Sequence, residues 1–143
     1  MLQFHMKEKA EKLCSKTKTF ILSCNDGDGY PMTKAVVKTK DQKLGELYFI
    51  TNTSSKFVDA LSKNPKSSVY FYSRKLIFYK GCYLKGDMEI VTDMNIKKKY
   101  WRNLCRNAYA EKSFADPDFC VLKFTPKTCR YYSNFKINEF EMS

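Results

Sequence analysis

Apolar residues recur along this chain at two spacings, helical and alternating, and the switches between them lay out most of the fold. From 4 to 14, Phe4, Met6, Ala10, Leu13 and Cys14 stand among lysines and glutamates, which predicts an amphipathic helix packed on the outside of a sheet. Thr19 to Cys24 reads as a strand, and Asn25-Asp26-Gly27-Asp28-Gly29 is a strong turn signal. Tyr30-Pro31 then opens a second strand running to Lys40, so the first two strands make a hairpin. A further turn over Asp41-Gln42-Lys43 and Gly45 precedes a third strand from Glu46 to Asn52. Phe57-Val58-Asp59-Ala60-Leu61 restores the helical spacing and predicts a helix over 55–63, which Asn64-Pro65-Lys66 stops. Ser68 to Tyr72 is a fourth strand.

A turn near Ser73-Arg74-Lys75 leads into a long alternating segment from Leu76 to Val91, where Gly81 and Gly86 mark bulges or bends. Thr92-Asp93 offers a cap for a helix through Lys97, Tyr100, Trp101, Leu104 and Cys105. Phe119 to Phe124 and Cys129 to Tyr132 read as the last strands, divided by Thr125-Pro126-Lys127. Many antiparallel strands, few helices and no internal repeat point to a small β-barrel. At 143 residues, without a linker or low-complexity tract, residues 1–143 are expected to form a single domain.

Charge and cysteine usage set the environment. Lys+Arg number 26 against Asp+Glu 15, a formal charge of +11 that favours phosphate-bearing partners. Only Arg74, Arg102, Arg106 and Arg130 can make the bidentate forks typical of base reading, so the balance argues against nucleic acid. Lys97-Lys98-Lys99 reads as an exposed helix face. The six cysteines lie nine or more positions apart, with no CxxC pair and His5 as the one histidine, so the usual zinc spacing is missing and no metal is expected. The first residues become charged at once and no apolar stretch has membrane-spanning length, which leads us to expect reduced thiols, a cytoplasmic location and no membrane.

The stretch with the most chemistry is Leu47-Tyr48-Phe49-Ile50-Thr51-Asn52-Thr53-Ser54-Ser55-Lys56, a strand that runs into a hydroxyl-rich turn and a lysine. Ser54 or Ser55 falls at a helix start, where free backbone N–H groups favour an anion. Hydroxyls from Thr51, Ser54 and Ser55 with the Lys56 ammonium would complete a phosphate cradle without a glycine-rich loop. An ordinary serine-capped helix explains the same residues.

The order of these pieces resembles the pyridoxamine 5′-phosphate oxidase-like family of flavin-binding split barrels, in particular its short members related to general stress protein 26. The resemblance runs from about Glu8 to Tyr132. It is carried by Asp28-Gly29-Tyr30-Pro31, Thr33-Lys34-Ala35-Val36-Val37, the strand to Asn52 with Ser55-Lys56, and Asn64-Pro65 before Val69-Tyr70-Phe71-Tyr72. Gly86-Asp87-Met88-Glu89-Ile90-Val91, Tyr100-Trp101, Asp116-Pro117-Asp118 and Arg130-Tyr131-Tyr132 continue it.

That resemblance implies a mainly β fold with flanking α-helices, a six-stranded antiparallel split β-barrel, and FMN lying across the barrel edge at a homodimer interface. Carried over by position, Lys34 in the strand Thr33 to Val37 stands where the family commonly has an arginine facing the flavin phosphate, and Val36 lies beside the ring. Phe49, Ile50 and Thr51 line the flavin. Ser55 and Lys56 hold its phosphate, and the lysine that often follows in the family is replaced here by Phe57. The arginine-x-histidine ending of true pyridoxamine phosphate oxidases is missing, which argues against that activity. No Ser/His/Asp set or HExxH is present either, so catalysis would rest on the flavin.

Most of Tyr70, Tyr72, Tyr79, Tyr83, Tyr131 and Tyr132 read as half-buried strand residues, Trp101 as a core or dimer contact, and the cysteines as small core residues, with Cys82 a candidate redox group. Two functions follow. One is an FMN-binding oxidoreductase moving electrons from a reduced nicotinamide or other donor to a small-molecule substrate. The other is a non-enzymatic binding module, either a flavin-binding stress protein or a basic β-barrel for nucleic acid, which Val69 to Tyr72 with Arg74, Lys75 and Lys80 imitates.

Overall fold

The structure, a computed structural model, describes residues 2–40, 42–102, 109 and 113–142. Helix α1 (Leu2–Lys16) leads into strands β1 (Thr19–Asn25), β2 (Pro31–Val37) and β3 (Leu47–Asn52), then helix α2 (Lys56–Lys63). Strands β4 (Lys66–Lys75) and β5 (Phe78–Val91), helix α3 (Met94–Tyr100), and strands β6 (Phe119–Ser133) and β7 (Lys136–Glu141) follow. All strand pairs are antiparallel, in the order β2-β1-β4-β5-β6-β3, and β7 adds to β6. The result is a mainly β split barrel of seven strands that does not close, because β2 and β3 end the path without pairing.

The seventh strand corrects the expected count of six. The segments expected as two separate strands are one, β6, running straight through Pro126. Proline lacks the N–H that a central ladder needs, so its place has to be special. In the pairing with β5, Lys85 faces Thr128 and Gly86 faces Pro126, which leaves Lys127 as the extra residue of a β-bulge. On the other edge, β3 pairs only as far as Phe124 and β7 only from Thr128, so Pro126 sits in the gap between two neighbours. Gly86 is required opposite it, since an added Cβ would lie 2.1 Å from the Thr125 carbonyl oxygen.

Strand alternation builds the core. Phe20 and Leu22 of β1, Leu47 and Phe49 of β3, Val69 and Phe71 of β4, and Leu84 of β5 all point inward and are fully buried. Phe20 lies at their centre, with ring centroids 5.5 Å from Phe49 and 5.3 Å from Phe71 in tilted and edge-on geometry. Met6, Ala10, Leu13 and Cys14 of α1, and Phe57, Val58, Ala60 and Leu61 of α2, join the same core. A smaller cluster of Val91, Tyr100, Tyr109, Phe119 and Val121 lies apart from it, with Tyr48, Ile50 and Trp101 packed on it. Trp101 meets Phe119 edge-on at 4.9 Å and packs, half-buried, on this cluster. The expected continuation of α3 through Leu104 and Cys105 lies outside the described residues.

Candidate functional site

The open seam of the barrel brings β2 and β3 together through side chains, and the group that spans it is Lys34. Its ammonium donates to the Thr51 hydroxyl on β3 and lies 4.8 Å from the centre of the Phe57 ring at the start of α2. Alternation along β2 turns Met32, Lys34 and Val36 toward the interior and Thr33, Ala35 and Val37 outward. Lys34 is therefore half-buried, beside the buried thiols of Cys24 and Cys120. Burial lowers its pKa from the ordinary lysine value, and the neighbouring thiols oppose that only partly. Among the described residues it has no carboxylate partner.

Next to it, the turn from Asn52 to Ser55 is tied to the start of β6. Asn52 Nδ2 donates to Asp118 Oδ2 at 2.7 Å and the Ser54 N–H donates to Asp118 Oδ1 at 2.8 Å. The Thr53 N–H and hydroxyl donate to the carbonyls of Asp118 and Pro117, each at 2.9 Å. The hydrogen bonds from Asn52 and Ser54 hold the Asp118 carboxyl below its ordinary pKa. Ser55 is the N-cap of α2, in extended conformation, with its hydroxyl accepting from the Val58 N–H at 3.2 Å. From the opposite side, the Tyr109 hydroxyl donates to the Thr51 carbonyl at 2.8 Å.

Several expectations change with this geometry. Of the expected residues the structure joins Lys34 to Thr51, while Ser54 gives its N–H to a carboxylate of the chain itself, so the turn already carries one anion. Ser55 acts as the simple cap that was the alternative reading, with its own O–H proton still able to donate. Lys56 is exposed on the first turn of α2. Phe49 is fully buried against Phe20 and cannot touch a ring at the seam. Ile50 points to the opposite face of β3, into the smaller cluster, because successive strand residues alternate. Thr33 faces outward, sharing a 3.0 Å hydrogen bond with Ser23. Val36 lies half-buried, packed against the main core on the same face as Lys34. Cys82 is not at a rim: it is buried in the core with its sulfur 3.1 Å from that of Cys129, and this contact together with burial pushes its thiol pKa up. A buried protonated thiol is a poor nucleophile.

Asp118 and Tyr109 are the residues that sequence reasoning missed. Asp118 meets Ser54 across 64 positions, and no local pattern announces such a contact. Among the described residues no cluster of His, Cys, Asp and Glu could hold a metal, and no helix is long and apolar enough to cross a membrane. The five described cysteines are free.

The strand order with its unpaired seam defines a split barrel. Residues 6–133 match the pyridoxamine 5′-phosphate oxidase family, and the chain belongs to that family. A protein from Clostridium acetobutylicum related to the general stress protein 26 of Bacillus subtilis, in the pyridoxinephosphate oxidase family, is 30% identical. It superposes with a TM-score of 0.81 over 96% of this chain and 94% of its own. General stress protein 26 of Bacillus anthracis is 24% identical, with a TM-score of 0.75 over 95% of this chain and 99% of its own. A heme-binding protein of Mycobacterium smegmatis shares the fold at 15% identity and a TM-score of 0.75, covering 96% of this chain and 58% of its own. No curated protein matches.

Proposed function

We propose that the protein binds FMN at the seam between β2 and β3 and uses it to transfer electrons to a small molecule. The observation that carries this reading is Lys34, a half-buried ammonium with a hydroxyl partner, an aromatic face and, among the described residues, no counter-charge. Desolvating a lysine without an acid beside it is unfavourable, and an anion at the seam would offset that cost. A phosphate monoester fits the donors present. Lys34 supplies charge, Thr51 and Ser55 supply hydroxyls, and Lys56 stands one residue beyond the cap, at the positive end of α2.

The family position that often holds a further lysine is filled here by Phe57, which is buried and places its ring under Lys34. The substitution exchanges a second charge for a cation–π contact, so this chain relies more heavily on Lys34. Val36, on the same face of β2, offers apolar surface for the edge of a ring. Bound FMN would supply the hydride and single-electron chemistry that the protein's own side chains lack. The chain's contribution is to hold the phosphate, keep one positive charge close to it and, through Asp118 and Tyr109, fix the turn and strand that present the donors.

The test is a fluorescence-quenching titration with FMN, followed by anaerobic addition of NADH or NADPH to the loaded protein. Stoichiometric binding and bleaching of the flavin band are expected. A protein that binds riboflavin as tightly as FMN would remove the phosphate from this account.

A further inference from the structure

A second charged feature lies elsewhere. A cleft of about 920 Å³ opens between one face of α1, the reverse side of β1 and β2, and the end of the barrel where β4, β5 and β6 turn. Its walls carry Lys9, Lys12, Lys16, Lys18, Lys75 and Lys80, and among the described residues no acidic side chain lines it. The first three recur at helical spacing and so form one stripe along α1. Its floor and rim are apolar and aromatic: Ile21 on the outward face of β1, Tyr72 and Tyr79 stacked with centroids 6.1 Å apart, and the exposed ring of Phe78. Lys34 belongs to the other face of β2, so this cleft is separate from the seam.

Six ammonium groups around one concavity repel each other, and a polyanion is the ligand chemistry that relieves this. Lys9 and Lys16 are about 10 Å apart along the helix axis. A single phosphate is too small to engage both. A group with two or more phosphates spans that stripe, and a planar base stacks on the exposed aromatic rims of Tyr72 and Phe78. From this arrangement we infer that the cleft binds a nucleotide carrying at least two phosphates. The same chemistry occurs in free nucleotides and in single-stranded nucleic acid. The concave, three-sided shape and its volume, within the range of small-molecule sites, favour the free nucleotide.

Isothermal titration with ADP, adenosine, tripolyphosphate and a short oligothymidylate decides the matter, using the 143-residue protein and comparing ligands at each of two salt concentrations. ADP should bind saturably, adenosine at least about tenfold more weakly, and tripolyphosphate should displace ADP. Lys12→Glu with Lys80→Glu should weaken ADP by at least about tenfold while the FMN titration stays unchanged. Tyr72→Ala should weaken ADP and leave tripolyphosphate as it was. All three positions are on the surface, so the melting temperature should hold, and the competition on wild-type protein stands whatever the variants do. The assignment is overturned if adenosine matches ADP, if tripolyphosphate fails to compete, or if the paired charge reversal leaves ADP binding intact. An oligothymidylate that binds far more tightly than ADP, with a steep salt dependence, would equally overturn it in favour of nucleic acid.

Discussion

Replacing Lys34 with methionine separates the two roles that its ammonium can have. The side chain keeps nearly the same length and apolar stem, while the charge, the hydrogen bond to Thr51 and the contact over Phe57 are lost. If the ammonium is there for a phosphate, Lys34→Met should weaken FMN by about 1.5–3 kcal/mol, the range of a hydrogen bond to a charged group. That is about tenfold to a hundredfold in Kd. Riboflavin has no phosphate and should hardly notice. Without ligand, the variant should be at least as stable as wild type, because the lowered pKa says that the surroundings favour the neutral form. The pH dependence has a definite sign. Folded Lys34 loses its proton below the unfolded value of 10.5, so between the two values the unfolded chain holds more protons. Stability without ligand therefore rises with pH through that window, and FMN affinity falls across it. Both slopes should flatten in Lys34→Met. Fluorescence titrations with both flavins and chemical denaturation, each over a pH series, measure all four quantities. Equal loss of FMN and riboflavin, or an unliganded variant destabilised by more than about 1 kcal/mol, would show that Lys34 is a structural clasp across the seam.

Lys56→Ala should also weaken FMN relative to riboflavin, but less than Lys34→Met does, because Lys56 is exposed; paired titrations check the ranking. Gly86→Ala should cost about 3 kcal/mol in denaturant unfolding, since its Cβ would meet the Thr125 backbone at the bulge. Phe71→Ala, which empties the space beside Phe20, should cost about 3–5 kcal/mol in the same assay. The contribution of the Asp118 carboxyl is complete above its unfolded pKa of 3.8 and is lost as pH falls through its lower folded value; Asp118→Asn should abolish that acid limb in a pH-resolved melt. Sedimentation should report two subunits for the flavin-loaded protein, and a monomer that binds FMN stoichiometrically would refute the dimer.

The elements legible in the sequence were those with a clean period or a strong punctuation. The alternation in β1 and the Asn25 to Gly29 turn located the first hairpin, and Ser55 before Phe57-Val58 located α2. β7 escaped because only Phe140 among its residues is buried, and Ile137 is exposed, so no apolar alternation marks it. The division at Pro126 followed a sound local rule that tertiary context overrode, since the bulge and the change of neighbour remove the need for the missing N–H. At the site, Thr51 and Ser55 were candidates from residue type and order and Lys34 from its position in the family pattern, and the structure joins Lys34 to Thr51. Phe49 and Ile50 could not both face a ligand, because consecutive strand residues point opposite ways, and a contiguous motif hides that constraint. Asp118 was invisible as a partner of Ser54 because the contact is made only by folding.

The position of β6 in the chain has a consequence for how the protein is made. β6 is the strand to which β5, β3 and β7 all bond, yet it comes only after residue 118. While the earlier strands emerge, β1, β2, β4 and β5 can pair in sequence, but β3 has no neighbour and the far edge of β5 stays open. Both are rich in apolar and aromatic residues, the kind of edge that recruits other chains. Nascent chains halted before β6 should therefore aggregate, and completion of the sheet should be a late, slow, long-range event governed by the arrival of one strand.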